Sequence, residues 1–148
     1  MNTFITRLTA SAAGFDALPL RLTAGVIFAA HGAQKLFGWF GGYGLEGTGS
    51  WMASIGLEPG VLMAAFAGSA EFFGGLALIL GLLVRPAAAA LAITMVVAIL
   101  AVHIGNGLFL TNNGSEFGLA LLGISVALAI RGSGSLSADR VINARLRR

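Results

Sequence analysis

The sequence predicts an all-α fold: a four-transmembrane-helix bundle with an interfacial loop or short helix between helices 1 and 2. Three observations lead there. Hydrophobic residues make up 57% of the 148-residue chain, charged residues only 10%, and the mean hydropathy is +0.89. The apolar residues gather in four stretches on the scale of a bilayer core, which needs about 20 helical residues to cross. The few ionisable residues inside those stretches fall at one repeated depth.

The first span runs from Leu18 to Gly38 and the second from Val61 to Val84. The third covers Ala87 to Leu110, after the Arg85-Pro86 break, and the fourth Phe117 to Ile130. The fourth is short, so snorkelling polar ends or burial in the bundle must complete it. A chain of this length forms one membrane domain, over residues 18–131. It is preceded by a cytoplasmic segment over residues 1–17 and followed by a basic cytoplasmic tail over residues 132–148. The first segment holds Arg7 but no apolar run ahead of its small residues. A cleaved signal peptide is therefore not expected, and the first span serves as an uncleaved anchor.

Between spans one and two, Trp39 to Pro59 is rich in glycine. Ser50 is placed to cap a short helix Trp51 to Ile55, with Gly56 ending it and Pro59 opening the second span. Trp39, Tyr43 and Trp51 suit the headgroup level, where an amphipathic ring meets both water and chain. The segment reads as an interfacial or re-entrant lid, with an ordinary surface loop as the alternative. Within the spans, small residues recur at close-approach spacing: Gly25 with Ala29, Gly68 beside Gly74 and Gly75, Ala87 to Ala90, and Gly123 with Ala127. Such positions let helix backbones touch where no hydrophobic force drives association.

Basic residues set the orientation. Arg7 and Arg21 precede span one, Arg85 separates spans two and three, and Arg131, Arg140, Arg145, Arg147 and Arg148 follow span four; only Lys35 lies towards the other side. Both termini are thus expected in the cytoplasm of a bacterial inner membrane. The sequence pI near 10.7 reflects this arrangement, and the arginines meet anionic lipid. No nucleic-acid motif accompanies them. The chain has no cysteine, which excludes disulfides, thiolate metal sites and thiol redox relays within it. A redox role would need a bound cofactor or a partner subunit.

The repeated depth is the candidate site. Lys35 lies 14 residues from Arg21, Glu71 14 from Arg85, and Glu116 15 from Arg131; at 1.5 Å per residue each is about 21 to 23 Å along a helix. His31, Gln34 and Lys35 share one helical face. His103 and Asn106 come from the third span, and Asn112, Asn113, Ser115 and Glu116 from the loop and start of the fourth. A charge in hydrocarbon costs several kcal/mol and persists where it pairs or lines a cavity. Lys35 opposes two carboxylates, Glu71 and Glu116. One reading is a structural polar network fastening the helices. The other is a ligand pocket formed by His31, Lys35, Glu71, His103, Asn106 and Glu116. Axial haem ligation by the two histidines is disfavoured because no other haem signal accompanies them, and a metal cage is not expected.

Ordered motifs on three elements carry a family resemblance: His31-Gly32-Ala33-Gln34-Lys35-Leu36-Phe37-Gly38, Gly41-Gly42-Tyr43-Gly44-Leu45-Glu46-Gly47-Thr48, Ala70-Glu71-Phe72-Phe73-Gly74-Gly75, and Leu80-Gly81-Leu82-Leu83-Val84-Arg85-Pro86. From about Leu20 to Ile130 the chain resembles the DoxX family of four-helix membrane proteins. The resemblance implies a small bacterial membrane subunit related to the DoxD part of thiosulfate:quinone oxidoreductase. It also implies a quinone-linked redox component or a membrane partner of an oxidoreductase. The expected ligand is a quinone or similar amphipathic molecule, its ring among Phe72, Phe73 and Phe109 and its oxygens near Lys35 and the histidines. Electrons would come from a partner subunit. A non-catalytic scaffold recruiting an oxidoreductase or detoxifying enzyme is the alternative, and a carrier would need a homo-oligomer.

Overall fold

The computed structural model describes residues 14–146, and among them there is no strand. The helices are α1 (Ala17–Phe37), α2 (Gly44–Ser54), α3 (Gly60–Leu80), α4 (Val84–Ala98), α5 (Glu116–Arg131) and α6 (Ala138–Leu146). α4 runs on through a π turn, Ile99–His103, and a 3-10 turn, Ile104–Asn106. Gly60–Leu80 and Val84–Asn106 are long and apolar enough to cross a membrane, with mean hydropathies of 1.6 and 2.5. α1, also 21 residues, would span about 31 Å, and the 16 residues of α5 only about 24 Å. Together the four long helices make an all-helical membrane bundle. Arg7, Arg147 and Arg148, which contributed to the expected orientation, lie outside the described residues.

α1 and α3 cross at backbone contact. A Cβ on Gly32 would overlap the Phe72 amide nitrogen and lie 2.8 Å from the Gly68 carbonyl oxygen. A Cβ on Gly75 would lie 2.7 Å from the Gly25 carbonyl oxygen. Gly25 and Gly32 therefore meet Gly68 and Gly75 across the seam, as small residues do between membrane helices. Gly123 and Ala127, grouped with them on spacing, face outward, and no atom lies within 4 Å of a Cβ built on Gly123.

α3 ends at Gly81, whose φ of 67° only glycine adopts without strain; Leu82 N–H returns to the Ala77 carbonyl at 2.9 Å. Chain reversal follows at once. α4 begins at Val84, earlier than the Arg85-Pro86 break suggests, because proline is tolerated in a helix's first turn, where its missing N–H has no partner to lose. The segment after Arg131 closes this end. Asp139 accepts the N–H groups of Leu83 at 2.7 Å and Val84 at 3.1 Å, satisfying orphan donors at the start of α4. Arg21, 1% exposed, donates to Leu78 O and Ile79 O at the end of α3 and to Ser133 O and Leu136 O of the incoming segment. A charge read as marking a membrane boundary thus fastens three elements. Arg131 pairs with Asp16.

The core lies in this same half: Ala24, Phe28, Leu78, Ala88, Leu91 and Leu128 are buried against one another. The opposite half holds α2. This helix starts seven residues before the expected Trp51, at Gly44, and Ser50 does not cap it. Instead Ser50 Oγ donates back to Glu46 O inside the helix. Pro59 stands just outside α3 as its cap residue. Close contact of Gly49 with Val61, and of Gly60 with Gly49 and Ala53, lays α2 across the start of α3.

Candidate functional site

The half of the bundle covered by α2 is hollow. A cavity of about 680 Å³ opens there, walled by all four long helices, by α2 and by the loop before α5. Phe28, Trp51, Phe66 and Phe117 supply aromatic wall, while Lys35, Glu71, His31 and His103 supply its ionisable groups.

Lys35 reaches Glu71 because of glycine. Gly68 sits beneath the Lys35 stem, so close that a Cβ there would come 3.2 Å from Lys35 Cβ. The stem crosses the bare backbone and its Nζ donates to Glu71 Oε2 at 2.6 Å, one turn further along α3. Glu71 is 3% exposed and the Lys35 side chain 23%. In so apolar a setting each charge requires the other, since an unpaired one would bear its full desolvation cost.

His31 stands one turn before Lys35 on the same face, its ring 6.1 Å from that of Phe117 on α5. His103 arrives by a different route. Were α4 regular to its end, His103 would follow Ala98, a wall residue, by five steps of about 100°, leaving it roughly 140° away from the cavity. The π turn Ile99–His103 absorbs one extra residue and brings it back to about 40°. Its Nδ1 then lies 2.8 Å from the Asn113 carbonyl oxygen. A carbonyl only accepts, so Nδ1 carries the proton, and in the neutral ring Nε2 is left as the basic nitrogen.

Four of the six site residues expected from sequence thus line one cavity. The other two do not. Asn106 is exposed and donates to Val102 O at 3.1 Å and Asn113 O at 3.4 Å, as short amides do where backbone carbonyls are free. Glu116, at the start of α5, accepts the Leu110 N–H at 2.6 Å and holds the preceding loop closed. The aromatic expectation also changes. Phe73 and Phe109 are exposed and off the wall, and Phe72 sits edge-on to Phe37 and Phe73 along the outer seam of α1 and α3. Sequence reasoning missed Phe28, Phe66 and Phe117 as wall residues because an aromatic in an apolar span looks alike on every face.

The arrangement offers a long apolar chamber with an ammonium, a carboxylate and two imidazoles along its wall. It can take an amphipathic molecule of modest size and exchange protons with it. The DoxX family profile matches residues 17–104. The Bacillus subtilis (strain 168) protein named "Putative oxidoreductase CatD" is 35% identical over 122 residues, covering 82% of this chain and 83% of that protein. No solved structure matches. The family match covers more than half of the chain, including every helix that carries Lys35, Glu71, His31 and His103, and the chain belongs to the DoxX family.

Proposed function

We propose that this protein is a small membrane subunit of a quinone-linked redox system and that its cavity holds a quinone or similar amphipathic ligand. The observation that carries the reading is the mixed character of the cavity. One apolar chamber brings together the Lys35–Glu71 pair and the imidazoles of His31 and His103. Reducing a quinone consumes two electrons and two protons per ring. Donors and acceptors beside its oxygens are a chemical requirement, and the wall supplies them. The relative's name as an oxidoreductase supports a redox setting. The chain holds no cysteine, so no thiol pair carries electrons, and a partner subunit is the proposed donor. In this reading the α2 end faces outward, both termini are cytoplasmic, and the membrane is the bacterial inner membrane.

Lipid extraction of the protein purified in native membrane discs, followed by quinone and haem analysis, tests it. Quinone near one per chain is expected, falling in Glu71→Gln and His103→Ala proteins that remain folded. Quinone content no higher than that of the surrounding lipid would refute the reading. Unaltered occupancy in both folded variants would also refute it, and would leave the cavity as a structural polar network within a scaffold.

A further inference from the structure

We infer that the cavity has a side door in the plane of the membrane, between α3 and α4, through which the apolar tail of a membrane-dissolved ligand passes. The inference rests on the cavity reading above and adds the route and the tail.

The two helices form a hairpin that is shut at its turn and open at its far end. Near the turn, Leu91 presses on Gly74, where an added Cβ would lie 3.1 Å from the Leu91 side chain. Beyond that level alanines recur among the larger wall residues of both helices. In the antiparallel register set by Gly74 and Leu91, Ala67 of α3 falls opposite Ala98 of α4, and both belong to the cavity wall with Ala70 and Ala101. Methyl groups facing methyl groups leave a slot. The wall residues of α3 run from Met63 to Glu71, all beyond the level of Gly74, so the slot extends about 12 Å along that helix.

The rim lies on the outside of the bundle. Phe66 is 62% exposed and Ile93 66%, yet both also line the cavity. A residue can do both only where cavity and outer surface meet. In a membrane helix that outer surface faces hydrocarbon, so the door opens onto lipid tails. The chemistry is graded along the path: entirely apolar at the rim, then Thr94, then Glu71 and Lys35 within. This gradient selects a molecule with a hydrogen-bonding head and a long alkyl or isoprenoid tail, head inward. Burying a tail methylene is favourable when it leaves water, but nothing is gained when the tail stays in lipid. A tail lying in the slot and running on into the bilayer therefore leaves recognition to the head.

The absence of native cysteine makes the test clean. Ala70→Cys places one thiol in the cavity, and Val126→Cys places one on the exposed face of α5. Each full-length variant, in lipid nanodiscs, is reacted with an N-alkyl maleimide dissolved in the bilayer and with a sulfonated maleimide confined to water. The ratio of the two rates cancels the reactivity of the thiol itself. Ala70→Cys should favour the alkyl reagent by at least about ten-fold. Adding Ala101→Phe or Ala67→Phe, which fills the slot, should slow that reaction by about five-fold or more while leaving Val126→Cys unchanged.

Faster labelling by the aqueous reagent would overturn the side door. So would an unchanged alkyl rate in both phenylalanine variants, or protection of the thiol confined to a dimer fraction, which would assign the slot to a second copy of the chain. A long-chain benzoquinone serves as a separate probe. If it fails to protect Ala70→Cys from the alkyl reagent, the quinone reading fails while the door stands.

Discussion

Lys35 Nζ meets Glu71 Oε2 at 2.6 Å across the seam of α1 and α3, next to the point where Gly32 and Gly68 bring the two backbones together. The pair and the glycines form one device. Bare backbone on α3 allows the lysine stem to cross, and the ion pair then fixes the register of the crossing. Glu71→Gln strands a mostly buried ammonium and should lower stability by about 1 to 3 kcal/mol, less than a fully buried pair would lose because Lys35 keeps some exposure. Lys35→Met with Glu71→Leu should recover most of that loss. Thermal unfolding in nanodiscs of Lys35→Met, of Glu71→Leu and of the double variant measures the coupling, and additive losses would show that the pair does not act as a unit.

The far end of the bundle yields an independent prediction. Asp139→Ala removes the acceptor for two N–H groups at the start of α4 and should cost about 1 to 2 kcal/mol. Arg21→Met leaves carbonyls of α3 and of the closing segment without their donor, at about 2 to 4 kcal/mol. Neither change should alter ligand content, since neither residue lines the cavity. Equal melting temperatures of wild type and both variants would show that α6 merely rests on the bundle.

Glycines that look equivalent in sequence should respond oppositely. Gly32→Ala forces a methyl into the α3 backbone and should severely destabilise the protein, by about 3 kcal/mol or more. Gly123→Ala meets open space and removes backbone freedom from the unfolded chain, so it should be neutral or stabilising by about 0.5 to 1 kcal/mol. Unfolding curves for the two proteins decide this, and similar losses in both would contradict the seam.

The histidines separate binding from folding. His103 is tied to the Asn113 carbonyl at the edge of the bundle, where one lost hydrogen bond contributes only about 1 kcal/mol. His103→Ala should therefore keep its fold and lose bound quinone by about ten-fold, as should His31→Ala. Quantifying co-purified quinone against melting temperature checks both, and variants that melt without a separate loss of ligand would return the histidines to a structural role.

Topology can be read directly. Reporter fusions at Gly114 and after the final residue should occupy opposite compartments, because arginines cluster at one end of the bundle. Reporters on the same side would contradict the antiparallel course of α4 and α5 across the membrane.

Composition and charge spacing determined the class, the four long helices and the expectation of one shared depth for Lys35, Glu71 and Glu116. These follow from one-dimensional constraints: hydrocarbon thickness sets helix length, and the cost of buried charge sets where ionisable residues survive. Tertiary structure decided the rest. It chose Glu71 over Glu116 as the partner of Lys35, because Gly68 opens a path on α3 while Glu116 is engaged by the Leu110 N–H. It turned His103 inward through a π turn that no residue type announces, moved the aromatic wall to Phe28, Phe66 and Phe117, and made Arg21 a fastener. Depth along a helix is a count of residues, whereas direction around it depends on which neighbouring backbone leaves room, and only the assembled bundle settles that.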